Sequence, residues 1–74
     1  MSNLIIVTTI EEGVVVCTKP FYHDFDSRTW FSEEILRIDP DVPEDAIEVY
    51  FRNKNFEYND NQIWITSGEL ESVN

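Results

Sequence analysis

Two runs rich in β-branched residues, 3–10 and 14–19, open the chain with only Glu11, Glu12 and Gly13 between them. Such residues favour extended strands, and glycine accepts the positive φ that a short hairpin loop needs. The runs are nearly continuous in apolar residues, a pattern typical of strands with both faces at least partly covered. We therefore predict an N-terminal β-hairpin with a helix over one of its faces.

The segment after the hairpin predicts one helix over residues 27–38, with Asp26 or Ser27 as its N-cap. Pro40 disfavours helical backbone at Asp39, so we expect the helix to end there. At 100° per residue, the apolar side chains fall within one arc of about 140°, which is a core-facing stripe. This stripe consists of Trp30, Phe31, Ile35 and Ile38.

Residues 44–52 admit two structures. Apolar residues alternate with polar ones at 47, 49 and 51, the period of a half-buried strand, and we favour this interpretation. The alternative is a helix with Pro43 in its first position and Glu44 and Asp45 in its first turn.

Strands are also predicted over residues 55–58 and 62–66, joined by a turn that Asn and Asp favour. The predicted fold is α+β: an N-terminal β-hairpin, one helix, then a two- or three-stranded antiparallel meander, in the order ββαβββ. All 74 residues are expected to form a single compact domain, with residues 68–74 as a flexible tail.

Charge and cysteine content limit the compartment and the partners. The formal charge is −10, so nucleic acid and anionic membranes are repelled, whereas a basic protein is attracted. Cys17 is the only cysteine, which excludes an internal disulfide and agrees with a reducing cytoplasm. The first residues lack a basic segment and a long apolar run, so we expect no export signal.

The sequence carries no catalytic signature. His23 has Asp24 beside it, but a histidine in a loop between aromatic residues is far more often a surface or packing residue. Cys17 lies inside an apolar strand, where a thiol is usually inert. The acidic segment at 39–45 lacks the glycine and ligand spacing of a calcium loop. We expect no enzyme activity, no metal and no cofactor.

The segment 38–48, IDPDVPEDAIE, holds five acids and no base. If residues 44–52 were extended, outward acids would recur about every 6.6 Å, close to the phosphate repeat of a nucleic acid. In the preceding helix, Glu33 and Arg37 are four residues apart, which is the spacing of a helical ion pair. Acids flanking this segment would extend the negative face, and two aromatic residues would serve as packing anchors. The predicted partner-binding residues are Glu33, Glu34, Asp39, Asp41, Glu44, Asp45, Glu48, Tyr50 and Trp64.

Two functions fit this pattern. The first is a non-enzymatic acidic inhibitor that blocks a basic nucleic-acid-binding protein by mimicking nucleic acid. In size and charge alone the chain resembles phage-encoded proteins that disable host defence nucleases, polymerases or nucleoid proteins. The second is an accessory, antitoxin or immunity-type module that binds one partner through aromatic residues or a sheet edge. The sequence leaves open whether the chain forms a homodimer.

Overall fold

The computed structural model describes residues 3–69, which form one small α+β domain. The hairpin comprises β1 (Asn3–Glu11) and β2 (Val14–Phe21). Two helices follow, α1 (Asp24–Ile38) and α2 (Glu44–Asn53). A second hairpin of β3 (Asn55–Tyr58) and β4 (Asn61–Glu69) ends the described chain. The predicted α+β class is confirmed, and the predicted order holds roughly, with one segment changed from strand to helix.

That segment is α2, so the helical interpretation of residues 44–52 is correct and the strand that we favoured is wrong. Pro43 is the N-cap, and Glu44 and Asp45 lie in the first turn, where acids offset the helix dipole. Ile47, Tyr50 and Phe51 have helical spacing and pack in or against the core. A short alternating run also contains an i, i+3, i+4 stripe, and here the proline and the acids start a helix.

Helix α1 ends at Ile38 as predicted, because Asp39 before Pro40 is extended. It begins three residues earlier than predicted, with His23 as N-cap and no side-chain capping bond, so Asp26 and Ser27 are not the cap. The stripe is confirmed: Phe31 and Ile35 are buried, and Trp30 and Ile38 pack against them.

The sheet has the strand order β2-β1-β4-β3, with antiparallel neighbours throughout. Both predicted hairpins are confirmed. Glu12 and Gly13 turn the first hairpin with positive φ values of 53° and 80°, and Asn59 turns the second with φ 55°. Since β4 lies between β1 and β3, the segment 62–66 is an interior strand. Of the predicted tail, Gly68 and Glu69 belong to β4, and residues 70–74 lie outside the described residues.

Both helices lie on one face of the sheet, where the core forms. Within residues 3–69 no helix or strand covers the other face. The prediction that both faces of the first hairpin are at least partly covered is therefore wrong for that face. Within the same residues, no helix has the length and apolar character needed to cross a bilayer. The buried apolar residues are Ile5, Val7, Phe31, Ile35, Ile47, Phe56, Ile63 and Ile65.

Candidate partner-binding surfaces

Arg37 ties the last turn of α1 to the end of β1. Its Nε donates to Glu34 Oε2 at 3.0 Å, and its Nη1 donates to Glu11 Oε1 at 3.1 Å. The Thr9 hydroxyl, fully buried, donates to Glu34 Oε1 at 3.0 Å. The hydrogen bonds that Arg37 donates to Glu34 and, to a smaller extent, to Glu11 raise the pKa of Arg37 above its ordinary value. Arg37 therefore pairs with Glu34 and Glu11 rather than with Glu33 as predicted, and two carboxylates offset its charge.

This link places the corner between α1 and α2 beside the turn of the first hairpin. Asp39 follows Arg37 by two residues, and Glu12 follows Glu11. The amide of Glu12 also donates to the carbonyl of Asp60 at 3.0 Å, which joins the two hairpin turns. The α1–α2 corner and the turns of the two hairpins thus lie at one end of the molecule.

We call this region the acidic end. Its acids are exposed or half-exposed, and none of them is in an ion pair among residues 3–69. Asp39 Oδ1 accepts from the amide of Asp41 at 3.2 Å, which helps hold the corner. The acidic end consists of Glu12, Asp39, Asp41, Glu44, Asp45, Glu57 and Asp60.

Four predicted partner-binding residues therefore come together: Asp39, Asp41, Glu44 and Asp45. Glu12, Glu57 and Asp60 join them, and none of these three was among the predicted partner-binding residues; Glu57 and Asp60 belong to the second hairpin. The missing signal was the pairing of β1 with β4, because antiparallel pairing brings the two hairpin turns to the same end of the sheet.

The other predicted residues lie elsewhere. Glu34 is only 8% exposed and bonded internally. Glu48 forms an ion pair with Arg28 across the two helices. Tyr50 is half-buried, with its ring edge-on to Phe56 at a centroid distance of 5.0 Å. Trp64 is 42% exposed on the uncovered side of the sheet.

Glu33 lines an aromatic groove on the β2 flank of α1. Its apolar lining is Phe21, Phe25 and Trp30, and Asp26 also borders it. The rings of Phe21 and Trp30 are 6.3 Å apart between centroids, and Lys19 Nζ lies 4.2 Å from the centroid of Trp30. Phe25 is 79% exposed, which makes it the most exposed of the large apolar side chains at this surface. Phe25 was not among the predicted partner-binding residues.

The described residues were also searched for catalytic and metal chemistry. His23 is exposed at the start of α1, and Cys17 is half-buried in β2. Within residues 3–69, no three histidine, cysteine or carboxylate side chains converge in an arrangement that could hold a metal ion.

Comparison with protein-family models, curated proteins and solved structures gives no match to this chain.

Proposed function

We propose that this protein is a non-enzymatic inhibitor that binds the cationic, nucleic-acid-binding surface of a basic protein through its acidic end. The observation that carries the proposal is that seven carboxylates lie at one end of the molecule, on two hairpin turns, the α1–α2 corner, the first turn of α2 and β3, and none of them is in an ion pair among residues 3–69. Such a surface attracts lysine and arginine side chains and repels nucleic acid.

The neighbouring bases do not cancel this charge. Arg37, the base of α1 closest to the corner, already serves Glu34 and Glu11. Lys54 lies at the opposite end, where its carbonyl accepts from the amide of Ile65 at 3.0 Å. The acidic end therefore keeps a concentrated negative potential, and a cationic partner would replace solvent around carboxylates that have no internal partner to lose.

The form of the mimicry differs from the one that the sequence predicted. Because residues 44–53 are helical, they have no strand repeat of outward acids. The proposed face is instead a cluster on loops and on the first turn of α2. It offers cationic side chains a local concentration of charge, without a linear row of carboxylates at phosphate spacing.

The test is a capture experiment in which the charge of the bait is matched. The triple variant Asp39→Asn, Asp41→Asn, Asp45→Asn changes the net charge from −10 to −7, and Asp24→Asn, Asp26→Asn, Glu33→Gln does the same outside the acidic end. We expect wild-type protein and the second variant to retain a basic nucleic-acid-binding protein from lysate, and the first variant to lose it. Purified complex should dissociate with rising salt, and labelled nucleic acid should compete with the inhibitor for the partner.

Equal binding by both triple variants, or retention of no basic protein by the wild type, would contradict the proposal. In that case the aromatic groove favours the second candidate, an accessory or immunity-type module that binds one specific partner. Exposed Phe25 would then be the anchor, since aromatic residues dominate interface energetics. Phe25→Ala should abolish such a complex, and salt should change its affinity little.

A further inference from the structure

The face of the sheet that the helices leave uncovered, called here the open face, is nearly free of charge. The strand register assigns its residues, because side chains of paired residues point to the same side. The open face comprises Leu4, Ile6, Thr8, Ile10, Val15, Thr18, Pro20, Asn55, Glu57, Gln62, Trp64 and Thr66. Glu57 is the one ionisable side chain among these residues, in a chain whose net charge is −10.

The centre of the open face carries no charge. Ile6, Thr8 and Ile10 run along β1, and Trp64 lies directly beside Thr8 on β4. Val15, opposite Ile10 on β2, is 58% exposed, and Trp64 is 42% exposed. An uncharged surface with exposed large apolar side chains, on a small and highly charged domain, is typical of an interface.

The edges of the sheet, in contrast, are blunted. On β2, an irregularity in register interrupts pairing between Thr9 and Ile10 of β1 and the opposite residues. Pro20 further along β2 has no amide proton to offer a new strand. The other edge strand, β3, has four residues and pairs with β4 only from Asn61 to Trp64, so residues 66–69 of β4 have no strand beside them on that side within the described chain. Both edge strands thus disfavour edge-to-edge addition, and the open face is a larger surface for association than this short stretch of β4.

We propose that a second copy of this chain packs on the open face in a twofold dimer, with the two acidic ends at opposite ends of the assembly. The open face spans four strands with nine residues in each central strand. At about 3.3 Å per residue and 4.8 Å between strands, two copies would bury on the order of 1,000 Å² in total, enough for a weak specific interface.

Charge selects both the surface and the orientation. Packed sheets lie about 10 Å apart, so the two helical layers would be separated by roughly 30 Å, well beyond a Debye length of about 8 Å at physiological salt. The molecule is 46 Å long, and an antiparallel arrangement separates the acidic ends by a comparable distance. Contact through the helical layers or the acidic ends would instead bring like charges together.

The test measures molar mass by light scattering and sedimentation from micromolar to millimolar protein. We expect the mass to rise from the 8.7 kDa of one chain towards twice that value, and the dimer to strengthen with salt as residual repulsion is screened. Trp64→Glu and Thr66→Glu should each raise the dissociation constant at least about tenfold, because each change buries an unpaired carboxylate from both copies in the interface. Leu36→Glu adds the same charge to the exposed surface of α1 and should leave the dimer unchanged.

A cross-link checks which face of the sheet lies in the dimer. In a Cys17→Ser background, Thr8→Cys near the centre of the open face should be cross-linked into a dimer by a short bifunctional maleimide that spans the roughly 10 Å between packed sheets, whereas Asn53→Cys on the helical layer should not. Circular dichroism and thermal melting confirm that each variant is folded; the exposed position of Thr66 makes Thr66→Glu the variant of choice if Trp64→Glu unfolds. A mass of one chain at every concentration would overturn the proposal. A dimer that Leu36→Glu disrupts, or one that forms equally well with Trp64→Glu and with Thr66→Glu, would also overturn it.

Discussion

Glu34 was predicted to bind a partner, but in the folded chain its side chain is buried. It stands next to Glu33 in α1, but α1 turns by 100° per residue, so one carboxylate faces the sheet while the other faces solvent. Glu34 is 8% exposed and holds the Thr9 hydroxyl and the Arg37 guanidinium. A buried carboxylate with these partners links α1 to β1 and stabilises the arrangement that gathers the acidic end.

Removal of this carboxylate should therefore weaken the fold. Glu34→Ala leaves the buried Thr9 hydroxyl without its acceptor, and we expect a loss of about 1–3 kcal/mol in the free energy of unfolding. The neighbouring change Glu33→Ala removes the same group from an exposed position and should shift that free energy by no more than about 0.5 kcal/mol. Urea denaturation of both variants measures the difference, and equal losses would show that the network contributes nothing.

At the scale of elements, helix α2 decides how the second half of the chain is organised. It returns from the acidic corner to the opposite end and stops at Lys54, whose φ of 59° and ψ of 31° are left-handed. This conformation lets the Lys54 amide bond back to the carbonyl of Phe51 at 3.1 Å while its own carbonyl accepts from Ile65. The stop thus sets where β3 begins and how it pairs with β4.

Lys54 is a strained end to this helix, since a side chain in left-handed backbone costs about 1–2 kcal/mol that glycine avoids. We expect Lys54→Gly to be more stable than Lys54→Ala by about 1 kcal/mol in urea denaturation. The alanine variant is the matched control, because both changes remove the same charge. An alanine variant equal to or more stable than the glycine variant would show that the left-handed stop is not maintained in solution.

At the scale of the whole molecule, charge and apolar surface are separated. The acidic end collects carboxylates from loops, from the first turn of α2 and from β3, and the open face carries little charge. Self-repulsion of a chain with net charge −10 opposes the compact state, and it is greatest where acids converge. A surface under this repulsion is stabilised when a cationic partner binds, which is why the proposed function is assigned to it.

Salt should consequently stabilise the isolated protein. Raising NaCl from about 0.01 M to about 1 M shortens the Debye length from about 30 Å to about 3 Å, so the thermal midpoint should rise. For a domain of this size, each kcal/mol gained corresponds to about 4–8 °C. Two variants of equal net charge test where the repulsion is located. The thermal midpoint should rise less with salt in the variant Asp39→Asn, Asp41→Asn, Asp45→Asn than in the variant Asp24→Asn, Asp26→Asn, Glu33→Gln. Identical salt responses would indicate that repulsion is not concentrated at the acidic end.

The local features of this protein follow from the sequence itself. The first hairpin is predictable because Gly13 allows its turn between β-branched runs, and α1 because its apolar stripe repeats with the helical period and Pro40 ends it. These signals depend on neighbouring residues, which is why they are visible without a structure. The acids at 39, 41, 44 and 45 are likewise adjacent in the chain, and the fold keeps them together.

Tertiary structure alone decided the rest. Residues 44–53 contain both a strand pattern and a helical stripe, and the packing of Ile47 and Tyr50 against the core is compatible with the helix. Pairing of β1 with β4 brings Glu57 and Asp60 to the acidic end, and it leaves Trp64 on the open face. Glu34 is buried while Glu33 is exposed, because Glu34 accepts a hydrogen bond from the buried Thr9 hydroxyl of β1. The Thr9–Glu34 contact and the pairing of β1 with β4 join residues distant in sequence, and no local pattern of residue types encodes such contacts.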